Sequence, residues 1–261
     1  MSSKVDHRTG LAGCSRQIAE LRASVLQQAG CPFGILLEGE TGSGKEVVAR
    51  AIHHASGRRG AAFCAVNCAA LTDELFETEL FGHSRGAFTG AVSHRAGLFE
   101  AAHRGTLFLD EVGELSPRAQ AKLLRAVQDG EVRRIGENAT RHVDVRIIAA
   151  TNRTLRSEVE AGRFRQDLLF RLAVVRLSVP PLRGRWEDIV LLAKRFWTRA
   201  LSQTGGQAAL DADTLVALAR HDWPGNVREL ENVIAALAVR APKRGWVGPS
   251  LLPAGADEAH E

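Results

Sequence analysis

Short apolar runs punctuate the first two thirds of the chain, and patterns of helical period fill the spaces between them. Ile35-Leu36-Leu37, Phe63-Cys64-Ala65-Val66, Thr106-Leu107-Phe108-Leu109, Val145-Arg146-Ile147-Ile148-Ala149 and Ala173-Val174-Val175 each read as a buried strand. Continuous apolar runs of this length suit strands covered on both faces. From Arg118 to Asp129, Ala119, Leu123 and Val127 share one helical face, with Ser116-Pro117 as a start and Gly130 as a stop. Strands alternating with helices predict an α/β fold with a parallel sheet sandwiched by helices. After Pro180-Pro181 the strand signal ends, and Ile189, Leu192, Ala193 and Phe196 recur at helical spacing. Asp211 and Asn226 are residues suited to capping two further helices. The pattern thus divides the chain into an α/β domain over 1–178, a small helical domain over 179–245 and a tail over 246–261.

Composition sets limits without naming a chemistry. The 261 residues are 45% hydrophobic and 25% charged, enough to bury a sizeable core. No apolar stretch reaches membrane-spanning length, and the start at Met1-Ser2-Ser3-Lys4 lacks the apolar core of a signal peptide, so a cytoplasmic protein without membrane contact is expected. Cys14, Cys31, Cys64 and Cys68 show no paired CxxC spacing, which predicts buried free thiols. The net charge of +4 comes from interleaved acids and bases, so any contact with DNA is expected to be indirect or weak.

The strongest chemical signal follows the first strand. Gly39-Glu40-Thr41-Gly42-Ser43-Gly44-Lys45 joins a strand to a helix, the setting in which backbone N–H groups can curl around phosphate oxygens. Lys45 can reach the β and γ phosphates of ATP, while Glu46 stands where a hydroxyl for magnesium is usual. Mg2+ must therefore find ligands elsewhere. Asp110 and Glu111, at the carboxyl end of a strand, can serve as metal holder and water-orienting base respectively. Thr151 and Asn152 end another strand on the same sheet edge, where ligands tend to bind; helix capping is their plainer role. Arg165 and Arg171 interrupt an apolar run and can stabilise phosphate charge from a neighbouring chain, or make ordinary surface pairs.

Between these motifs lies Gly86-Ala87-Phe88-Thr89-Gly90-Ala91, uncharged, with an aromatic and a hydroxyl at its centre and a glycine toward each end. Composition alone allows a buried turn; its place between a phosphate loop and an acidic strand end favours a mobile tip that touches a partner.

Taken in order, Gly39 to Glu46, Glu79-Leu80-Phe81-Gly82-His83, Gly86 to Ala91, Leu107 to Glu111, Ala150-Thr151-Asn152 and Trp223-Pro224-Gly225-Asn226-Val227-Arg228-Glu229-Leu230 resemble the AAA+ domain of bacterial sigma-54-dependent transcriptional activators. The resemblance runs from about Leu11 to Arg240, and Glu46 is similar to this family's own pattern. It implies an ATPase in which Gly39, Glu40, Thr41, Gly42, Ser43, Gly44, Lys45 and Glu46 cradle ATP, Asp110 serves Mg2+ and Glu111 activates water. Asn67 is implied as a switch residue that senses the γ-phosphate through Glu111, Thr151 and Asn152 as a sensor, and Arg165 and Arg171 as trans-acting fingers. Arg228 would close the helical domain, as a lid, on the nucleotide. The same resemblance implies a ring, typically a hexamer, whose Gly86 to Ala91 tips contact sigma-54. A second loop near Glu131 to Val143 would be coupled to the first by Arg134, although Glu137 stands where a glycine is frequent. The alternative kept open is an AAA+ ATPase that remodels another protein or modulates a full-length activator in mixed rings. A non-catalytic nucleotide or DNA-binding module would be expected to lack Lys45 or Glu111. No helix-turn-helix is expected in the tail from Ala241 to Glu261.

Overall fold

Four of the five expected strands form where the apolar runs lie, and the fifth forms a few residues later. A computed structural model describes residues 9–252. In chain order it contains α1 (Arg16–Ala29), β1 (Ile35–Glu38), α2 (Lys45–Ala55), β2 (Phe63–Asn67), α3 (Asp73–Phe81), β3 (Gly82–His83), β4 (Arg95–Ala96), α4 (Leu98–Ala101) and β5 (Thr106–Asp110). Then come α5 (Pro117–Asp129), β6 (Glu131–Val132), β7 (Arg141–His142), β8 (Arg146–Thr151), α6 (Leu155–Glu160), α7 (Gln166–Leu172) and β9 (Val175–Ser178). The fifth strand was expected at Ala173–Val175. Ala173 instead closes α7, its N–H donating to the Leu169 carbonyl, and β9 shows the alternating burial of an edge strand.

Residues 24–39 and 45–178 make one unit. Its five-stranded sheet has the order β2-β5-β8-β1-β9, and every pairing is parallel. Leu36, Leu107, Leu109, Ile147 and Ala149 pack with Phe76 and Leu80 of α3, Leu123 of α5 and Leu168 and Leu172 of α7. Ile35, Leu37, Phe108, Ile148 and Ala150 alternate with them and are equally buried, so both faces of the sheet are covered. This explains why the strands read as continuous apolar runs. The ends of α5 are those the sequence predicts: the Ser116 hydroxyl accepts from Ala119 N–H, Pro117 opens the helix and Gly130 closes it at φ 65°.

The other unit comprises 9–23, 40–44 and 179–252 among the described residues. It adds α8 (Trp186–Thr204), β10 (Ala209–Leu210), α9 (Ala212–Arg220), α10 (Asn226–Arg240) and β11 (Trp246–Val247). Ile189, Ala193, Leu218, Trp223, Leu230 and Ile234 form its core. Asp211 caps α9 as expected, accepting from Thr214 N–H at 2.7 Å. Asn226 does not cap α10; Gly225 occupies that position and Asn226 is fully buried at φ 55°. The expected end of this domain at 245 falls short, because β11 pairs with β10 and Val247 and Leu252 join the core. Residues 1–8, and 253–261 of the expected tail, lie outside the described residues. No helix among the described residues is long and apolar enough to cross a membrane. All four cysteines are free thiols, but of the four only Cys68 is buried as expected, Cys14 being exposed and Cys31 and Cys64 partly covered; burial pushes the Cys68 thiol up to about 12.

Candidate functional site

The carboxyl ends of β1, β5 and β8 bring together the first set of candidate residues. Lys45 opens α2 and is buried, and its ammonium donates to the Gly39 carbonyl at 2.9 Å and to Glu111 Oε1 at 3.3 Å. Glu111 stands at φ 52° and ψ 48°, a left-handed conformation uncommon for a side chain of this size. Backbone strain of this kind concentrates where a side chain must be aimed. The second oxygen of Glu111 accepts from the backbone N–H of Asn152 at 3.2 Å, so the acid is held from two sides.

Asp110 ends β5 and accepts from the N–H of Glu111 at 3.0 Å. Burial, and then the neighbouring Glu111 charge, push its carboxyl above the ordinary carboxylate value. A cation there would relieve both penalties. Among the described residues no three His, Cys, Asp or Glu side chains converge as a metal cage. A sparse all-oxygen set fits magnesium, which keeps waters and substrate phosphates as most of its ligands.

Three further candidates on this edge have partners of their own. The Asn67 side chain accepts from Ala69 N–H at 2.9 Å and caps a short turn, while Glu111 pairs with the Lys45 ammonium. Asn67 does lie opposite Asp110 in the sheet register. Thr151 is fully buried and its hydroxyl accepts from Arg153 N–H at 3.0 Å, so only Asn152 of that pair is exposed. Glu46 is exposed and pairs with Arg50 one turn along α2 at 2.6 Å.

Arg165 and Arg171 both lie at α7, outside this cluster of contacts. The Arg165 guanidinium pairs with Asp167 at 2.7 Å, the backbone N–H of Arg165 donates to Gln120 Oε1, and Arg171 is exposed in the last turn.

The segment Glu40–Gly44 belongs to the helical unit. There Gly42 has no room for a side chain, because a Cβ would stand 2.3 Å from the Gly225 carbonyl and 3.2 Å from Cβ of Arg228. The sequence-predicted Arg228 therefore sits beside the phosphate loop. Arg183, missed by sequence reading, makes a two-pronged pair with Glu40. This pairing, followed by the Asn226 amide, lowers the Glu40 carboxyl from the ordinary 4.5 to about 2. Because the folded value is depressed, the stabilisation is complete above about pH 4.5 and is lost as pH falls toward 2. Both side chains are near half exposed, so the effect is small. Thermal melts of Arg183→Met and the parent should differ at pH 6 and converge near pH 2; a constant difference would contradict the pairing.

The hexapeptide forms a separate feature. β3 pairs with β4, β6 pairs with β7, and between the strands of each ribbon runs a loop. Gly86 and Gly90 have φ 79° and 102°, and the Gly86 N–H donates to the Ala91 carbonyl at 2.9 Å. Phe88 is 45% exposed and rests edge-on against the His83 ring, 5.0 Å between centroids. The second loop supports the first: Ser84 N–H donates to the Ile135 carbonyl at 2.9 Å, and a Cβ on Gly136 would stand 2.8 Å from Cβ of Ala87. Arg134 does not reach the hexapeptide through its guanidinium, which grips Glu100 at 2.7 Å through two nitrogens. Glu137 pairs with Arg141 at 2.6 Å and so braces the second ribbon.

A phosphate loop and an adjacent acid pair at the edge of a parallel sheet, with a paired-loop platform on two separate antiparallel ribbons, agree with the comparison to known families. The Sigma-54 interaction domain family matches residues 11–178. The chain belongs to that family. An AAA+ ATPase lid domain matches residues 183–261. Among curated relatives of this sigma-54 interaction domain, the anaerobic nitric oxide reductase transcription regulator NorR of Citrobacter koseri is 50% identical over 240 residues, 91% of this chain and 47% of that protein. The chain thus spans about half the length of the relatives it matches. Two crystal structures of NtrX from Brucella abortus are similar at 37% identity. The complex with ADP has a TM-score of 0.87 over 97% of this chain and 58% of that one. The complex with ATP has a TM-score of 0.86 over 94% and 54%. The sigma-54 interaction domain here therefore has the AAA+ architecture, a parallel α/β core followed by a helical lid.

Proposed function

We propose that this chain is an ATP-hydrolysing engine that acts on sigma-54 RNA polymerase and converts its closed promoter complex to the open one. The observation that carries the reading is the conjunction of two devices in one unit: an acid aimed by Lys45 and Asn152, and a glycine-hinged tip braced by a second loop. Gly39 to Glu46 hold the triphosphate, with Lys45 transferring its attraction from Glu111 to the phosphates. Glu111 then orients water and accepts its proton. Asn152, through its backbone N–H, keeps that carboxylate in place. Magnesium, when bound with the nucleotide, neutralises phosphate charge, and Asp110 is the residue that would hold it. Arg165 and Arg171 would reach the nucleotide of a neighbouring copy, and Arg228 would read it from the lid, so the working form is a ring, hexameric in the simplest reading. Contact with promoter DNA is indirect or weak, and the protein acts in the cytoplasm.

Phosphate contacts can hold the two loops in one arrangement and hydrolysis release them, which makes the platform a two-state element. The test is retention of sigma-54 by the tagged chain with a transition-state analogue of ATP bound. Sigma-54 should be retained with the analogue and lost with ADP. No retention across concentrations that support assembly would replace sigma-54 with another protein target.

A further inference from the structure

The outer half of the phosphate loop is held by the helical unit through its carbonyl groups. The Asn226 amide donates to the Thr41 carbonyl and to Glu40 Oε2, each at 3.1 Å. Val227 N–H donates to the Gly42 carbonyl at 3.1 Å, and Arg185 donates to the Ser43 carbonyl at 2.8 Å. Three successive carbonyls are thereby held by donors of the same unit. Across a trans peptide each carbonyl opposes the next N–H, so the N–H groups of Gly42 and Gly44 are turned away from those donors, as in an anion-binding nest, while the Ser43 N–H donates to the Glu40 carbonyl at 3.2 Å and closes the turn.

Asn226 makes the first of these links. It is fully buried, adopts φ 55°, and its Oδ1 accepts from Leu182 N–H at 2.7 Å while its Nδ2 serves the loop. One carboxamide thus joins the start of the lid segment to the phosphate loop, with acceptor and donor both used. Its neighbour Gly225 supplies the carbonyl that excludes any side chain at Gly42.

We propose that Asn226 is a positioning residue for the phosphate loop: its amide fixes the Thr41–Gly42 peptide with the Gly42 N–H turned away for an anion, so nucleotide affinity is set in part from the lid helix. The proposal rests on the reading of Gly39 to Glu46 as the nucleotide loop. It differs from the role of Arg228, because Asn226 acts on the loop backbone rather than on the nucleotide.

Two variants of the full chain test it. Asn226→Gly keeps the left-handed backbone and removes only the carboxamide. Asn226→Asp keeps an oxygen for Leu182 but sets a carboxylate against Glu40 and the Thr41 carbonyl. Amide hydrogen exchange over residues 40–44, measured without nucleotide, should quicken in both. ATP affinity and KM for ATP should weaken by about five- to tenfold in Asn226→Gly, as expected for loss of one or two buried hydrogen bonds, with kcat changed less than about twofold. Asn226→Asp should be worse on the same measures; if it does not fold, Asn226→Gly decides alone. Unchanged exchange at 40–44 together with unchanged ATP affinity would overturn the proposal and leave Asn226 a packing residue. Failure of the parent chain to bind ATP would instead remove the nucleotide reading, and with it the proposed consequence for affinity.

Discussion

Glu111→Gln is expected to bind ATP at least as well as the parent and to hydrolyse it roughly 10²–10⁴-fold more slowly, the range for loss of a positioned general base. The substitution preserves shape, so the Asn152 N–H keeps an oxygen acceptor and the left-handed backbone at φ 52° is retained. What disappears is basicity and negative charge. Lys45 loses the ion pair at 3.3 Å and is left freer to attract phosphate, so affinity is held or raised while turnover fails. The measurement pairs nucleotide binding with phosphate release. Hydrolysis within twofold of the parent would remove Glu111 from the chemistry and shift attention to Asp110.

The second large effect is the reverse separation, turnover without output. Phe88→Ala should retain most ATPase activity and lose open-complex formation at a sigma-54 promoter by at least about thirtyfold. That figure corresponds to about 2 kcal/mol, the threshold for an aromatic that anchors an interface. Phe88 is nearly half exposed, and the ring it touches is His83, so its loss opens no core cavity. None of its contacts involves Lys45, Asp110 or Glu111. Normal transcription activation by Phe88→Ala would sink the assignment of Gly86 to Ala91 as the tip that touches sigma-54. Loss of ATPase activity in parallel would mean that the loop shapes the nucleotide site rather than reporting its state.

Glu100 and Arg134 show how the two loops are joined. Their two-pronged pair, at 2.7 Å for both nitrogens, ties the second ribbon to the short helix that follows the first. The tip itself is braced by the backbone of Ile135 and the bare Cα of Gly136. Resemblance places Arg134 as the link between loops; the geometry divides that task between a charged pair at the base and a close backbone approach at the tip.

What the amino-acid sequence determined by itself was local. The strands at Ile35, Thr106 and Arg146 are written in short apolar runs, because a strand buried on both faces needs no polar alternation; the run at Phe63 forms an edge strand that is only partly buried, a place in the sheet that the run itself does not reveal. The helix Pro117–Asp129 is written with both of its ends, because capping hydroxyl, N-terminal proline and left-handed glycine act within a few residues of one another. The phosphate loop and the acid pair were legible for the same reason. Tertiary structure alone decided the partnerships. Glu111 pairs with Lys45, far away in the chain. Thr151 is buried and Asn152 is not, a difference that neighbouring polar residues in a sequence cannot reveal. Asn226 looked like a helix cap and instead joins Leu182 to the phosphate loop. A cap is satisfied by groups two or three residues away, whereas a buried carboxamide takes whichever distant backbone groups the packing brings to it.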